Sequence, residues 1–526
     1  MNPNIIIISV FILYFGCIIA MAYRFRKSKN LSDYYLGGRK LNSWLGGLSA
    51  QTSDMSGWML MGLPGAIFIL GAGYIWIAIG LTAGIVINWL FVAKRLRRYT
   101  IIADNSVTLP QYLTNRFHDK KNVLSFTAAI IFAVFFTVYV AASLVAGGTL
   151  LNTLFGLNYQ VGVAVIALII IAYTVLGGLL AISWTDSIQG TMMLLAAIIL
   201  PFIAISFAGG WDVIASNIDQ PGFFNLMSDT QGNQLSAVTL ISNLAWGLGY
   251  FGMPHVLIKL IAIRSDEDVS KAAIIGITWV LIALTGAVLV GMVGRGYFAP
   301  ELMVNPGTNP DVTNPFVFAT YPYYGFAQET VFIQIISRIF IDNGTFFTIL
   351  IGGIFLCGIF AAIKSTADSQ MLVASSAITN DIYKNISKSA GDKKLLVVSR
   401  LTIVAVAFLA FLFALNPGAG VMALVAHAWA GFGSAFGPLI ILSIYWSRVN
   451  FQGAFAGMIA GGTVVLVWNY IPLMDGLTLL QYTSLFSLVP GFIISFISIL
   501  VVSLATKAPD SKIIEEFTKA SQPLSQ

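Results

Sequence analysis

Charge is scarce in this sequence. Of 526 residues only 10% are Asp, Glu, Lys or Arg, while 57% are hydrophobic. Soluble domains carry about 25% charged residues. A mean hydropathy of +0.85 therefore excludes an ordinary soluble domain and implies an integral membrane protein with many spans. Cysteine is nearly absent: Cys17 and Cys357 both lie in apolar runs, which excludes a disulfide framework. Only three histidines occur, His118, His255 and His427. They have no metal-ligand spacing and form no Ser-His-carboxylate set, which speaks against a membrane enzyme. The net charge of +6 is no nucleic-acid signal, because the basic residues cluster in short loops between apolar runs. Nothing signals a cofactor or specifies an oligomeric state. The first apolar run, near 5–23, lacks a basic n-region and an A-x-A-like cleavage site, so it reads as a retained span.

Apolar runs of 18 or more residues match a hydrocarbon core of about 30 Å. They fall near 5–23, 42–70, 74–93, 123–152, 159–181, 187–208, 237–262, 272–295, 344–376, 397–415, 419–446, 452–471 and 484–505, which makes about thirteen spans. Loop charge alternates along this series. Basic residues follow span 1 (Arg24, Arg26, Lys27, Lys29, Arg39, Lys40), span 3 (Lys94, Arg95, Arg97, Arg98, Arg116, Lys120, Lys121), span 7 (Arg264, Lys271) and span 9 (Lys384, Lys388, Lys393, Lys394). The stretch 209–236 holds Asp212, Asp219 and Asp229 and no basic residue, and 296–343 holds Glu301, Asp311, Glu329 and the single Arg338. The positive-inside rule then puts the N-terminus outside and the C-terminus in the cytoplasm of a bacterial-type plasma membrane. Within 296–343, the apolar stretch 330–340 predicts a surface helix able to act as a lid.

Two spans are interrupted. In 42–70 the run Gln51-Thr52-Ser53-Asp54-Met55-Ser56-Gly57-Trp58 places polar residues and a carboxylate at mid-membrane, with Gly62, Pro64 and Gly65 beyond. A mid-bilayer carboxylate costs about 2.5–3.5 kcal/mol or more and faces a protein interior. Freed carbonyls and hydroxyls suit a hard cation such as Na⁺, and freed amides at a half-helix start suit a carboxylate. The bland alternative is a kinked helix with Asp54 paired to a neighbour. In 237–262 the run Trp246-Gly247-Leu248-Gly249-Tyr250-Phe251-Gly252-Met253-Pro254-His255 does the same. The two broken spans are five apart and oppositely oriented, the signature of an inverted-repeat transporter; two unrelated kinks are the alternative. The predicted fold is an all-α integral membrane protein with a five-plus-five inverted-repeat core. Its parts are a first span and cytoplasmic loop (1–41), a first repeat of spans 2–6 (42–208), a second of spans 7–11 (209–447), two peripheral spans (448–505) and a cytoplasmic tail (506–526).

Span 9 carries Ala362, Ser365 and Thr366 at i, i+3 and i+4, hence on one face. The Ala362 carbonyl and the two hydroxyls, with carbonyls from broken span 2, form an all-oxygen set suited to a monovalent ion, since Mg²⁺ and Ca²⁺ attract carboxylates. Ser and Thr bonded to their own helix are the alternative. Lys364 lies about 200° around the helix from Ala362, with Asp368 as its i+4 neighbour. The pair reads either as a structural ion pair or as a tethered ammonium at a second ion position, with Asp186, at the inner start of span 6, as another partner. Trp58, Tyr139, Trp246 and Tyr250 outline a solute pocket.

These stretches resemble the solute:sodium symporter family, and within it the proline carriers. The likeness runs through Tyr35-Leu36-Gly37-Gly38-Arg39, Ser53-Asp54-Met55-Ser56-Gly57-Trp58 with Met61-Gly62-Leu63-Pro64-Gly65, and Phe135-Phe136-Thr137-Val138-Tyr139. It continues through Ser183-Trp184-Thr185-Asp186, Trp246 to Gly252, Ser375-Ser376-Ala377-Ile378-Thr379, and Ala428-Trp429-Ala430 with Ala435-Phe436-Gly437-Pro438. The resemblance implies a secondary active transporter importing a small amino acid or carboxylate, proline first, with Na⁺ as coupling ion. It implies a sodium site of backbone oxygens from Thr52, Met55 and Ala362 with the hydroxyls of Ser365 and Thr366. Arg39, Asp54 and Asp186 match coupling positions, to which Lys364, Asp368 and Ser369 are added. Ser56, Gly57, Trp58, Tyr139, Trp246, Tyr250 and Pro254 match solute-side positions. Gln51 stands where the proline carriers have Gly, Met253 where they have Gln, and Lys364 where they have Met; the first two join the solute set as residues that alter the pocket. Lys364 also opens a rival reading, a proton-coupled or sodium-independent carrier. A transporter-like sensor is disfavoured by the short tail, and an ion channel by the two broken helices. The partners implied are a small-molecule solute and the lipid bilayer.

Overall fold

In the computed structural model the described residues are 2–25, 30–302, 328–387, 389–474 and 476–523. Arg26, Lys27, Lys29, Asp311 and Lys388 lie outside them, as does the side chain of Glu301. The described chain is almost entirely helical. Eleven of its helices are long and apolar enough to cross a membrane, and a twelfth span is counted when one bent pair is joined. They are α1 (Pro3–Arg24), α4 (Ala72–Ile102), α5 (Val123–Phe155), α6 (Tyr159–Leu176), α7 (Leu179–Phe207), α10 (Asp266–Ala299), α12 (Phe346–Ile386), α13 (Asp392–Ala414), α14 (Val421–Tyr445), α15 (Phe451–Tyr470) and α16 (Leu488–Ala505). The bent pair is α8 (Ala237–Phe251) and α9 (Pro254–Ile261), which turn by 44° at the break. The stretch 42–70 consists of two short helices, α2 (Ser43–Thr52) and α3 (Trp58–Leu70), separated by the non-helical 53–56. The chain is a multi-pass membrane protein.

The helices differ from the expected runs at several ends. The sixth span begins at Leu179 rather than 187, so Asp186 lies about two turns inside a helix instead of at its start. The third continues to Ile102, which places Lys94, Arg95, Arg97 and Arg98 on the helix itself. Arg97 and Arg98 both pair there with Asp266 at the head of α10. Among the described residues the departure from an all-helical fold is a hairpin of β1 (Pro472–Met474) and β2 (Leu477–Thr478) between α15 and α16. Gly476 lies beside its turn at φ +77°, a left-handed conformation that glycine adopts without a Cβ penalty.

The expected surface helix near 330–340 is not on the surface. Its helical core, α11 (Val331–Ile336), is flanked by short helices Gln328–Thr330 and Ser337–Ile341. Val331, Phe332, Ile333, Ile335 and Ile336 are fully buried. Close approach explains the difference. Gly65 of α3 leaves no room for a Cβ beside the Gln328 carbonyl, and Gly294 of α10 none beside Val331. Glu329 accepts the Val421 and Met422 amides (2.9 and 3.0 Å), capping the N-terminus of α14 with negative charge.

The two broken spans run in opposite directions. At one end, Leu41, just before α2, exchanges backbone hydrogen bonds with Ala262 and Arg264, just after α9. At the other, Ala72, just after α3, donates to the Phe223 carbonyl, and Gly73 abuts Ser228 and Leu235 ahead of α8. The start of one broken span therefore adjoins the end of the other. Glycine permits the packing of the second break. A Cβ at Gly252 would lie 2.4 Å from the Phe432 carbonyl and 2.7 Å from the Gly437 amide of α14, backbone atoms that cannot move aside. Gly252→Ala is therefore expected to cost about 1–3 kcal/mol by overpacking, whereas Gly16→Ala, with nothing within 4 Å of the added atom, costs nothing comparable. Thermal unfolding of the two variants in detergent checks this; equal midpoints would refute the packing assignment.

Candidate functional site

The two breaks meet in the middle of the bundle. The Tyr250 hydroxyl, from the break in the second span, donates to Asp54 Oδ2 in the break of the first at 2.5 Å. Asp54 is fully buried. Its own carbonyl accepts Trp58 Nε1 at 3.0 Å, which folds the Trp58 side chain back over the break. His255 Nε2 stands 3.7 Å from Asp54 Oδ1, too far for a hydrogen bond. The imidazole is held edge-on by the rings of Phe136 and Tyr139, with centroids at 5.9 and 5.8 Å. Asp54 Oδ1, Tyr139 Oη, Trp246 Nε1 and both His255 nitrogens are buried with no hydrogen-bond partner among the described residues. Such groups are rare in native interiors and ask for a ligand or water.

Trp246 and Tyr250 belong to an aromatic wall. Trp246 stacks on Phe486 (5.2 Å, 23°), and Tyr250 meets Trp429 edge-on at 4.9 Å. Trp429 Nε1 donates to the Trp246 carbonyl at 2.8 Å, and Gly249 leaves space for that indole, since a Cβ there would sit 2.0 Å from Nε1. Ser56, Gly57, Trp58, Met253 and Pro254 are all buried around the breaks. Met253 and Pro254 form the extended entry and first residue of α9. Gln51 points elsewhere: it packs beside Gly276 of α10 and Trp89 of α4.

On the other side of the first break, α2 faces α12. Ser365 Oγ donates to the carbonyl of Thr52 at 3.0 Å and to that of Ala362 at 3.2 Å. Thr366 Oγ1 and Thr52 Oγ1 are buried with no hydrogen-bond partner among the described residues. The structure thus brings Thr52, Ala362 and Ser365 within one hydrogen-bond length and leaves a Thr366 oxygen unsatisfied on the same helix face. The grouping consists of carbonyl and hydroxyl oxygens and, among the described residues, no cluster of three or more His, Cys, Asp or Glu lies in it. Met55 is buried in the break.

Below the breaks lie four buried charges. Lys364 Nζ contacts Asp368 Oδ2 at 2.5 Å, lies 3.3 Å from the centroid of the Tyr173 ring and 3.4 Å from Thr185 Oγ1. Asp368 Oδ1 also accepts the Thr174 hydroxyl at 2.6 Å. Asp186 is not the hydrogen-bond partner of Lys364. Thr185 and Asp186 are consecutive on α7 and point about 100° apart, and it is Thr185 that faces the lysine. Asp186 Oδ2 instead binds Lys259 Nζ at 3.0 Å and Ser49 Oγ at 2.6 Å, joining α7, α9 and α2. Lys259 was not singled out in the sequence, although a lysine inside the apolar run 237–262 was the available signal. Ser369 is buried with its hydroxyl unpaired. Arg39 stands apart, donating to the carbonyls of Ile261 and Ser106 and to Asn105.

Residues 34–461 match the sodium:solute symporter family. The chain is 40% identical over 520 residues to the sodium/proline symporter of Escherichia coli K12, covering 99% of this chain and 96% of that protein. It is 39% identical over 508 residues to the high-affinity proline transporter PutP of Bacillus subtilis, covering 96% and 99%. A solved structure of a Na⁺-coupled sialic acid symporter in a substrate-bound, outward-open state shares the fold, with a TM-score of 0.77 at 22% identity over 96% of this chain and 99% of the other.

Removing one partner of a buried ion pair strands the other charge and costs about 3–5 kcal/mol. Lys259→Met is therefore expected to lower the unfolding midpoint sharply, and Lys259→Met combined with Asp186→Asn to recover most of it. A double variant no more stable than the single would show that the two groups do not act as a pair.

Proposed function

The chain belongs to the sodium:solute symporter family, whose members are transporters rather than enzymes, and on that premise we propose that it imports proline or a closely similar small amino acid or carboxylate together with Na⁺ across the plasma membrane. The observation that carries this reading is the pairing of opposite half-helix ends at the two breaks. The C-terminal end of α2 offers the Thr52 carbonyl to the oxygen face of Ala362, Ser365 and Thr366, which suits a cation. The N-terminal end of α9, begun by Pro254, offers free amides and positive dipole character to a carboxylate. The relatives named sodium/proline symporter and proline transporter, near 40% identity over almost the whole chain, support proline and sodium as the pair.

In this reading Thr52, Met55, Ala362, Ser365 and Thr366 hold the ion. Ser56, Gly57, Trp58, Tyr139, Trp246, Tyr250 and Pro254 line the solute side, with Gln51 and Met253 shaping it from behind. Arg39, Asp54, Asp186, Lys364, Asp368 and Ser369 couple ion to solute. The antiparallel breaks support an inverted repeat of 42–208 on 209–447, flanked by 1–41, 448–505 and 506–526, with thirteen spans, the N-terminus outside and the C-terminus inside. Ion binding between α2 and α12 favours the outward-open state and orders the break for the solute. A gradient drives transport because the ion binds one state better than the other.

The test is proline uptake into proteoliposomes under an inward Na⁺ gradient, compared with a proton gradient in Na⁺-free buffer. Accumulation on Na⁺ alone is expected. A hydrogen-bond-like contact to a charge contributes about 1.5–3 kcal/mol, and 1.4 kcal/mol is about tenfold in affinity. Ser365→Ala and Thr366→Ala should therefore each raise the half-saturating Na⁺ concentration by about tenfold or more. Accumulation on protons without Na⁺ would favour the rival, a proton-coupled carrier.

A further inference from the structure

Five full charges are buried around the breaks: Asp54, Asp186, Asp368, Lys259 and Lys364, each at most 1% exposed. Lys259 is matched to Asp186 and Lys364 to Asp368. With His255 as the neutral imidazole, the set sums to a single negative charge, that of Asp54, which among the described residues receives a tyrosine hydroxyl and no ammonium or guanidinium. A low-dielectric interior tolerates a net charge poorly, and a zwitterionic solute adds none. One monovalent cation therefore neutralises the region.

Lys364 does more than lock a helix turn. Its ammonium lies off the ion face but against three other elements, over the Tyr173 ring of α6, beside Thr185 of α7, and on Asp368. Asp368 shares its helix face with Ser365 and Ser369, spaced i, i+3 and i+4. Thr174 already gives Asp368 a hydroxyl contact, and Ser369 Oγ is buried and unpaired. Asp186 Oδ1 is a further unpaired buried oxygen. The Asp368 carboxylate and the Thr174 hydroxyl on it are oxygens of the kind that hold a monovalent cation, and the ammonium supplies that cation covalently.

We propose that Lys364 is a built-in cation of the carrier: its ammonium permanently fills a cation position at Asp368, so that one Na⁺ is carried with each solute where this chain, keeping Asp368 but losing the lysine, would carry two. The proposal rests on the sodium-symport reading and adds to it the number of ions and the residue that sets it. The side chain carries no proton through the cycle and makes or breaks no bond.

The experiment measures Na⁺ dependence and charge moved per proline in proteoliposomes for wild type, Lys364→Met, Lys364→Arg and the double variant Lys364→Met/Asp368→Ser. Wild type is expected to show a Hill coefficient of about one for Na⁺, and Lys364→Met a coefficient rising toward about two, with about one more charge moved per solute. Lys364→Arg and the double variant keep the wild-type charge balance and are expected to stay near one. Purified Lys364→Met should be stabilised by NaCl over KCl more strongly than the double variant, a readout that needs no transport. Where Lys364→Met fails to fold in KCl, recovery of folded protein in NaCl supports the proposal. Failure in both salts, with a folded double variant, overturns it and makes the pair structural. Na⁺-dependent uptake in which Lys364→Met keeps a coefficient of about one also overturns it, leaving sodium symport standing. Absence of any Na⁺ dependence in wild type refutes the sodium reading itself.

Discussion

A helix may stop inside a bilayer only where protein, and not lipid, satisfies the backbone it releases. This constraint governs the molecule. Residues 53–56 leave helical geometry at mid-span, and the second span turns by 44° between Phe251 and Pro254. Each break is covered by the other, through Tyr250 on Asp54, and by helices brought unusually close. The glycines show how close. At Gly249 the Trp429 indole occupies the place of a side chain, at Gly252 the backbone of α14 does, and at Gly190 of α7 the Thr52 hydroxyl does. Larger residues at these points would open the breaks to lipid. The small residues of the sequence are thus part of the site as much as its polar ones.

The buried charges answer to the same constraint. A buried ion pair is no general source of stability, because desolvation offsets its attraction. Two such pairs in one bundle call for another reason than rigidity. Lys259 and Asp186, with Ser49, connect one half of each broken span to α7. Ser49 lies one turn before Thr52, whose carbonyl faces Ser365. A shift of α2 that altered the oxygen face would therefore also disturb the Asp186 network. The Lys259–Asp186 pair thus reaches, through Ser49, the same short helix that ends in the Thr52 carbonyl and the first break.

Much of this was legible in the sequence, and the physical reasons differ from feature to feature. Spans were visible because bilayer thickness imposes a length on apolar runs. Breaks were visible because Gly, Pro and an acid inside such a run contradict it. The Lys364–Asp368 contact was visible because i and i+4 meet on any helix. The partner of Asp186 was not, since Lys259 lies 73 positions away and only packing can bring them together. The start of α7 was misplaced because Ser183, Thr185 and Asp186 read as loop, whereas Thr185 satisfies itself on the Ala181 and Ile182 carbonyls and on Tyr173. The segment around 331–336 reads as a surface helix because the sequence between two spans carries no sign of the glycines, Gly65 and Gly294 on two other helices, that open a slot for it.

The ends of the half-helices explain why ion and solute would be coupled at all. Ser365 donates to the Thr52 and Ala362 carbonyls, but its hydroxyl also has lone pairs. A cation among these oxygens would be held by turning one hydroxyl, without moving a helix. What such a cation would change is charge: it would lie at the carbonyl end of α2, close to the break that also holds Asp54. From there it would offset the negative end of one half-helix and the Asp54 carboxylate together. The carboxylate of a solute, drawn to the amide end of α9, would otherwise approach Asp54 against repulsion. One positive charge at the first break thus lowers the cost of one negative charge at the second, and by linkage the solute tightens the ion in return. Coupling in this arrangement would need no long pathway, because the Tyr250–Asp54 contact joins the two breaks directly.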